Sequence, residues 1–335
     1  MDYRGKKVLV TGADGFIGSH LTEALARQEA QVTALAMYNS FDTYGWLDVL
    51  PGCLQSKITR IRGDVRDAAF MRSIIRGQDI VFHLAALIAI PHSYVATESY
   101  VATNVMGTLN VLEAARDSDV QRIVHTSTSE VYGTALTVPI KENHPLQGQS
   151  PYSASKIGAD MMAEAFARSF GLGVAILRPF NTFGPRQSER AIIPTVVRQL
   201  LDPACASVKV GALTPVRDFT FVHDTVAAFL AVGQSRSIKM GQPYNAGTGK
   251  TVSVGEMIEV AANIIGCNKT VEHDVERLRP EKSEVLVLQA DNARITADTG
   301  WQPQIPFREG LARTIEWWRD RFANGGVRTE NNFMT

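Results

Sequence analysis

Over its first 178 residues the chain alternates short runs of β-branched residues with amphipathic stretches of helical period, and few folds tolerate that rhythm. The runs at 8–11, 32–36, 58–62, 80–84, 123–127 and 174–178 read as strands. Between them 16–28, 68–75, 99–116 and 152–170 repeat apolar residues every three or four positions and read as helices. Strands separated by crossover helices run parallel, and right-handed crossovers cover both faces of the sheet. The expected class is therefore α/β, a Rossmann-type, doubly wound parallel sheet. Past 178 the rhythm changes: Pro179, Pro185, Pro194, Pro203 and Pro215 punctuate a loop-rich region with helices at 192–201, 224–232, 254–265 and 307–322. This predicts a main domain over 1–178, rejoined by 217–240, and a smaller C-terminal domain over 179–335. The second would sit over the carboxyl ends of the strands, where open α/β sheets bind ligands.

The first strand-to-helix turn reads Thr11-Gly12-Ala13-Asp14-Gly15-Phe16-Ile17-Gly18. Glycines there let the backbone turn tightly and approach a pyrophosphate, whose charge rests on free N–H groups at the helix start. Gly12, Asp14, Gly15, Phe16, Ile17 and Gly18 are thus candidate contacts of a dinucleotide. The acid that normally ends the second strand and binds the adenosine ribose is missing: Ala36-Met37-Tyr38-Asn39-Ser40 follows instead. Asn39 and Ser40 are the candidates for a ribose hydroxyl. The choice between NAD and NADP stays open on these residues, with NAD favoured.

Composition removes several classes of function. Lys+Arg and Asp+Glu each number 34, so no basic field exists to draw a nucleic acid. Cys53, Cys205 and Cys267 lie far apart, and neither they nor the 7 histidines show metal-ligand spacing, so no metal is expected. A strand begins at Lys6, leaving no room for a signal peptide, and the longest apolar stretch, 80–91, is broken by His83 and too short to span a bilayer. A reduced, cytoplasmic protein with no membrane partner is expected.

Tyr152-Ser153-Ala154-Ser155-Lys156 places a phenol and an ammonium four residues apart, on one helical face. Tyrosine titrates near 10, too high for a base at neutral pH, but an adjacent ammonium favours the phenolate. Upstream, Thr126-Ser127-Thr128-Ser129-Glu130 continues a buried strand and sets polar side chains at its carboxyl end.

The glycine spacing, His83-Leu84-Ala85-Ala86, Thr103-Asn104-Val105-Met106-Gly107-Thr108 and the Tyr-Lys pair, in this order, resemble the extended short-chain dehydrogenase/reductases. The resemblance implies that Asp64 and Val65 lie beside the adenine, and that Leu84, Ala85, Ala86, Thr103, Thr126, Tyr152, Lys156 and Pro179 line the cofactor. It makes Thr128, Ser129, Glu130, Tyr152 and Lys156 the catalytic set. Thr-Ser-Glu is similar to GDP-mannose 4,6-dehydratases and UDP-glucuronate decarboxylases. The finer resemblance is to the GDP-N-acetylglucosamine 4,6-dehydratases of legionaminic acid pathways, carried by 38–41 with Trp46-Leu47, 87–91, 126–134 and 278–285. It implies oxidation at C4, loss of water across C5 and C6, and return of hydride to C6. Ser129 stands where dTDP-glucose dehydratases have an aspartic acid, which leaves open the proton donor to the departing C6 oxygen. Asn181, Arg186, Arg217 and Arg279 resemble contacts to the diphosphate of a nucleotide-linked sugar. A homodimer is implied through helices 99–116 and 152–170. Decarboxylation, epimerisation and a silent dinucleotide sensor are the alternatives.

Overall fold

The computed structural model describes residues 2–277 and 285–327. Its centre is a sheet of seven strands: β1 (Lys7–Thr11), β2 (Gln31–Met37), β3 (Ile58–Gly63), β4 (Ile80–His83), β5 (Arg122–Thr126), β6 (Val174–Pro179) and β7 (Pro243–Ala246). They lie in the order β7–β6–β5–β4–β1–β2–β3, and every neighbouring pair is parallel. The order reverses between β1 and β4, which opens the crevice where such sheets bind ligands. β4 and β6 are buried at every residue, as strands covered on both faces must be.

The period of two sorts β1 between two cores. Val8 and Val10 pack with Leu21 and Leu25 of α1 (Phe16–Arg27), while Leu9 faces the opposite layer. That layer holds Met71 and Ile75 of α2 (Ala68–Ile75), Val111 and Leu112 of α3 (Gly107–Arg116), and Ala163 and Phe166 of α4 (Pro151–Phe170). α4 starts where it does because Ser150 and Ser153 form a reciprocal capping box around Pro151, and it ends on Gly171 in the left-handed conformation.

The stretch 99–116 is not one uniform helix. A π-helical segment, Val101–Met106, precedes α3. Six residues are too short a stretch for apolar spacing to tell i→i+5 turns from ordinary α turns.

Beyond β6, Asn181–Phe183 pairs in parallel with Phe219–Phe221, and Val216–Arg217 lies between Val252–Ser253 and Val287–Leu288. Phe183, Phe219 and Phe221 join the α1 face of the sheet to α5 (Ile192–Leu201), α6 (Val222–Gln234), α7 (Val254–Ile265) and α8 (Phe307–Ala323) in one apolar cluster. α6 packs against α1, β5 and β6, and after it β7 joins the edge of the seven-stranded sheet. Among the described residues no helix is long and apolar enough to cross a membrane.

Candidate active site

The glycine loop is shaped for close backbone approach. Gly12 has φ +67°, and a Cβ there would lie 2.8 Å from the Ala85 nitrogen; a Cβ on Gly18 would lie 2.0 Å from the Gly12 oxygen. Gly15 caps α1 with no side chain, and the first turn holds no acidic residue. Among the described residues the N–H groups of Phe16, Ile17 and Gly18 therefore have no capping side chain, and the positive end of α1 faces the crevice. That is the donor set a pyrophosphate requires. Across the switch point, Thr11 Oγ1 accepts from the Leu84 and Ala85 nitrogens, both at 3.1 Å, and lies 2.8 Å from His83 Nδ1. These bonds hang the Leu84-Ala85-Ala86 segment along the crevice. Asn104 holds its far end: Leu87 N donates to Asn104 Oδ1 at 2.8 Å, and Asn104 Nδ2 donates to Ser155 Oγ at 2.9 Å. The π segment, which also carries Thr103, thus ties the cofactor wall to the first turns of α4.

Tyr152 and Lys156 are buried. Lys156 Nζ donates to the Thr126 carbonyl at 2.6 Å, at the end of β5, and burial pulls its pKa down to about 8 against the attraction of Asp160. Burial pushes the Tyr152 phenol up; a hydrogen bond with the Thr128 hydroxyl lowers it, and the nearby Glu130 carboxylate raises it. Thr128 caps the short turn Ser129–Tyr132, its Oγ1 accepting from Glu130 N at 3.2 Å. This cap fixes Glu130, half-buried, on the Tyr152 side of the turn, with Ser129 buried beside it. Thr128, Glu130, Tyr152 and Lys156 therefore meet at the carboxyl ends of β4 and β5.

Several expected contacts are employed differently. Asn39 uses its whole amide inside its own loop: Nδ2 donates to the Met37 and Thr43 carbonyls, and Oδ1 accepts from Phe41 N and Thr43 N. It braces the loop rather than offering a free group to a ribose. Asp64 is held by Arg66, Nη2 to Oδ2 2.5 Å, and Val65 packs where a Cβ on Gly107 would collide. Arg186, read as a diphosphate contact, pairs with Glu23 of α1 at 2.8 Å and reaches Ser19 Oγ at 3.4 Å. Its charge clamps the segment after β6 onto α1, a partner 163 residues away that no local pattern announces. Asn181 keeps a buried amide oxygen without a hydrogen-bond partner among the described residues. Arg217 is buried, with Nη1 donating to the Val216 carbonyl. Pro179 closes β6. Arg279 lies outside the described residues.

The GDP-mannose 4,6 dehydratase family model matches residues 9–314. The chain belongs to this family. A dTDP-glucose 4,6-dehydratase of an Actinoplanes species is 32% identical over 319 residues, 93% of this chain and 98% of that protein. A UDP-glucose 4-epimerase of Mycolicibacterium smegmatis is also 32% identical, over 94% of this chain and 99% of its own. Among solved structures, the dTDP-glucose 4,6-dehydratase DesIV of Streptomyces venezuelae, with NAD and TYD bound, superposes with TM-score 0.82 at 31% identity, over 94% of this chain and 98% of that one. Dehydratases and an epimerase are thus equally similar to this family member, and its own side chains must discriminate.

One group that the sequence reading passed over lies behind the reacting residues. Asp160, fully buried, accepts from Ser127 Oγ at 2.7 Å and from Arg178 Nη2 at 2.9 Å, with His125 Nε2 3.2 Å from its other oxygen. Arg178 Nη1 donates to Tyr132 OH, which donates to Asn245 Oδ1 at 2.6 Å. Its signal was available, because Asp160 stands one turn after Lys156 as Lys156 stands after Tyr152.

Proposed function

We propose that this protein is an NAD-dependent nucleotide-sugar 4,6-dehydratase, converting a nucleotide-linked hexose to its 4-keto-6-deoxy derivative. One juxtaposition carries the reading: the buried Tyr152 phenol lies within hydrogen-bond reach of Thr128 and within the field of Glu130. A simple dehydrogenase needs a proton acceptor at one carbon. A dehydratase needs a second base, for the carbon next to the new ketone, and Glu130 supplies it.

The glycine cradle and the uncapped start of α1 fit the pyrophosphate of NAD, with Lys156 and Tyr152 at the end of the crevice where a nicotinamide would lie. Bound there, NAD supplies a reversible hydride acceptor, so the hydride that leaves C4 returns at C6. The chain's residues do the rest. Tyr152 takes the proton of the 4-hydroxyl, steered by Thr128, while the Lys156 ammonium favours the phenolate. Glu130 then removes the C5 proton, made acidic by the ketone, and delivers it to the departing C6 oxygen. Water leaves. Solvent returns a proton to C5, Tyr152 gives its proton back to solvent, and atoms and electrons balance with no net oxidation: the activity is that of a lyase. Ser129 cannot act as an acid, so Glu130 serves both as base and as donor.

For the substrate we propose GDP- or UDP-N-acetylglucosamine, on the resemblance carried by 38–41, 87–91 and 126–134. Asn181 and Arg217 are the proposed contacts to its diphosphate, with Arg279 a further candidate. The working unit is proposed to be a homodimer. Mass spectrometry after incubation with a panel of UDP-, GDP- and dTDP-sugars tests the reaction class. Loss of one water is expected; loss of carbon dioxide would make the protein a decarboxylase, and an isomer of unchanged mass an epimerase.

A further inference from the structure

β2 ends on Met37 without the acid that in this fold selects NAD by binding the adenosine ribose. The structure brings a carboxylate to that place from elsewhere. Asp14 lies inside the glycine loop, and its Oδ2 accepts from the backbone nitrogen of Met37 at 3.2 Å, at the last residue of β2. The loop around it is fixed on both sides. Ala13 N donates to the Leu35 carbonyl, and Trp46 N donates to the Asp14 carbonyl at 3.1 Å. Gly45 approaches so closely, with φ +58°, that a Cβ there would lie 2.7 Å from that same oxygen. Asp14 is half-buried.

The surrounding charges point the same way. Residues 11–18 and 37–56 contain neither lysine nor arginine. The arginines of β3 and the turn after it are each matched to an aspartate: Arg60 to Asp48 at 3.1 Å, Arg62 to Asp42 at 2.6 Å and Arg66 to Asp64 at 2.5 Å. Asp14 makes four aspartates against three arginines. Asp14 itself has no such partner among the described residues: only burial and backbone N–H groups act on its carboxyl.

We propose that Asp14 is the residue that selects NAD over NADP, accepting the adenosine ribose hydroxyls in place of the absent β2 acid and repelling a 2′-phosphate. This rests on the reading of the glycine loop as a dinucleotide site. It also replaces Asn39, which is tied up in its own loop.

The test is calorimetric titration of the full chain, freed of nucleotide, with NAD and with NADP, a readout independent of turnover. Wild-type protein is expected to bind NAD at least about 10-fold more tightly, the scale of a hydrogen bond to a charged group. Asp14→Asn keeps the size and an acceptor for Met37 N but removes the charge, and it should bring the two affinities together, as should Asp14→Ala. Wild-type protein that binds NADP as well as NAD overturns the proposal without any variant. Both variants keeping the wild-type ratio overturns it while leaving the site reading intact. Wild-type protein that binds neither dinucleotide removes both readings.

Discussion

Asp160 and Arg178 form an ion pair shut off from solvent, Nη2 to Oδ2 2.9 Å, one turn of α4 beyond Lys156. Burial alone would push the Asp160 carboxyl up, but Arg178, His125 and Ser127 outweigh it and hold the group at about 2. The folded value lies below the roughly 3.9 of an unfolded chain, so this contribution is present above about pH 4 and lost as the pH falls towards 2. Asp160→Asn leaves Arg178 buried and uncompensated, and is expected to cost about 3–5 kcal/mol at neutral pH and less near pH 3. Urea unfolding at both pH values checks this. An equal deficit at the two would mean that the charge is not what matters.

The same carboxylate bears on Lys156, whose pKa burial has drawn down to about 8 with Asp160 opposing the fall. As the pH rises through that value the ammonium that favours the Tyr152 phenolate is lost, so kcat/KM is expected to decline on the alkaline side. Removing Asp160 takes away the opposing attraction. The decline should therefore begin at lower pH in Asp160→Asn and recover in Asp160→Glu. A purely structural Asp160 would lower activity at every pH without moving that limb.

Arg186 and Glu23 offer a direct contrast between two roles for one arginine. Their contact, 2.8 Å and largely shielded, clamps the segment after β6 to α1. Arg186→Ala and Glu23→Ala are expected to destabilise by similar amounts, with a coupling of about 1 kcal/mol in a double-mutant cycle. KM for the nucleotide-sugar should rise equally in both. A rise in KM confined to Arg186→Ala would restore it as a diphosphate contact.

Assembly is open to test on residues the fold leaves outside. Val101 and Met106 of the π segment and Met161 of α4 are 52%, 47% and 43% exposed, apolar side chains on the two segments proposed to pair. Light scattering at micromolar concentration is expected to give the mass of a dimer, and Met161→Glu together with Val101→Glu to give a monomer. A monomeric wild-type protein would end that proposal.

Much of this molecule was readable from residue order because the relevant signals are local. Apolar runs, a glycine turn between strand and helix, and a Tyr-Lys pair at helical spacing depend on neighbours within one turn or one strand, and each appears where the pattern put it. What escaped depends on partners distant in sequence. Asn104 acquires its role only when a π turn aims its amide at both Leu87 and Ser155, 17 and 51 residues away. Asn39 looked available because its partners are backbone groups of a loop whose closure the side chain itself creates. Arg186 read as a phosphate contact because its partner, Glu23, lies 163 residues away in the sequence. Asp160 was visible at the right spacing, but its weight comes from β6, which supplies Arg178.

The reaction turns most directly on the order of events at Tyr152 and Glu130. If Tyr152 starts the reaction, Tyr152→Phe should stop every step, because no ketone forms. Glu130→Gln keeps the hydrogen bonding of the turn but removes the base, so elimination should slow by about 10²–10⁴-fold while oxidation at C4 persists. The decisive measurement is turnover in heavy water, with product deuteration followed by mass spectrometry and bound reduced cofactor by absorbance. Wild-type protein is expected to place deuterium at C5. The Glu130→Gln protein is expected to build up bound reduced cofactor with little water lost and little deuterium gained. Near-normal dehydration and C5 labelling in that variant would contradict the account, leaving Glu130 as a residue that only shapes its turn.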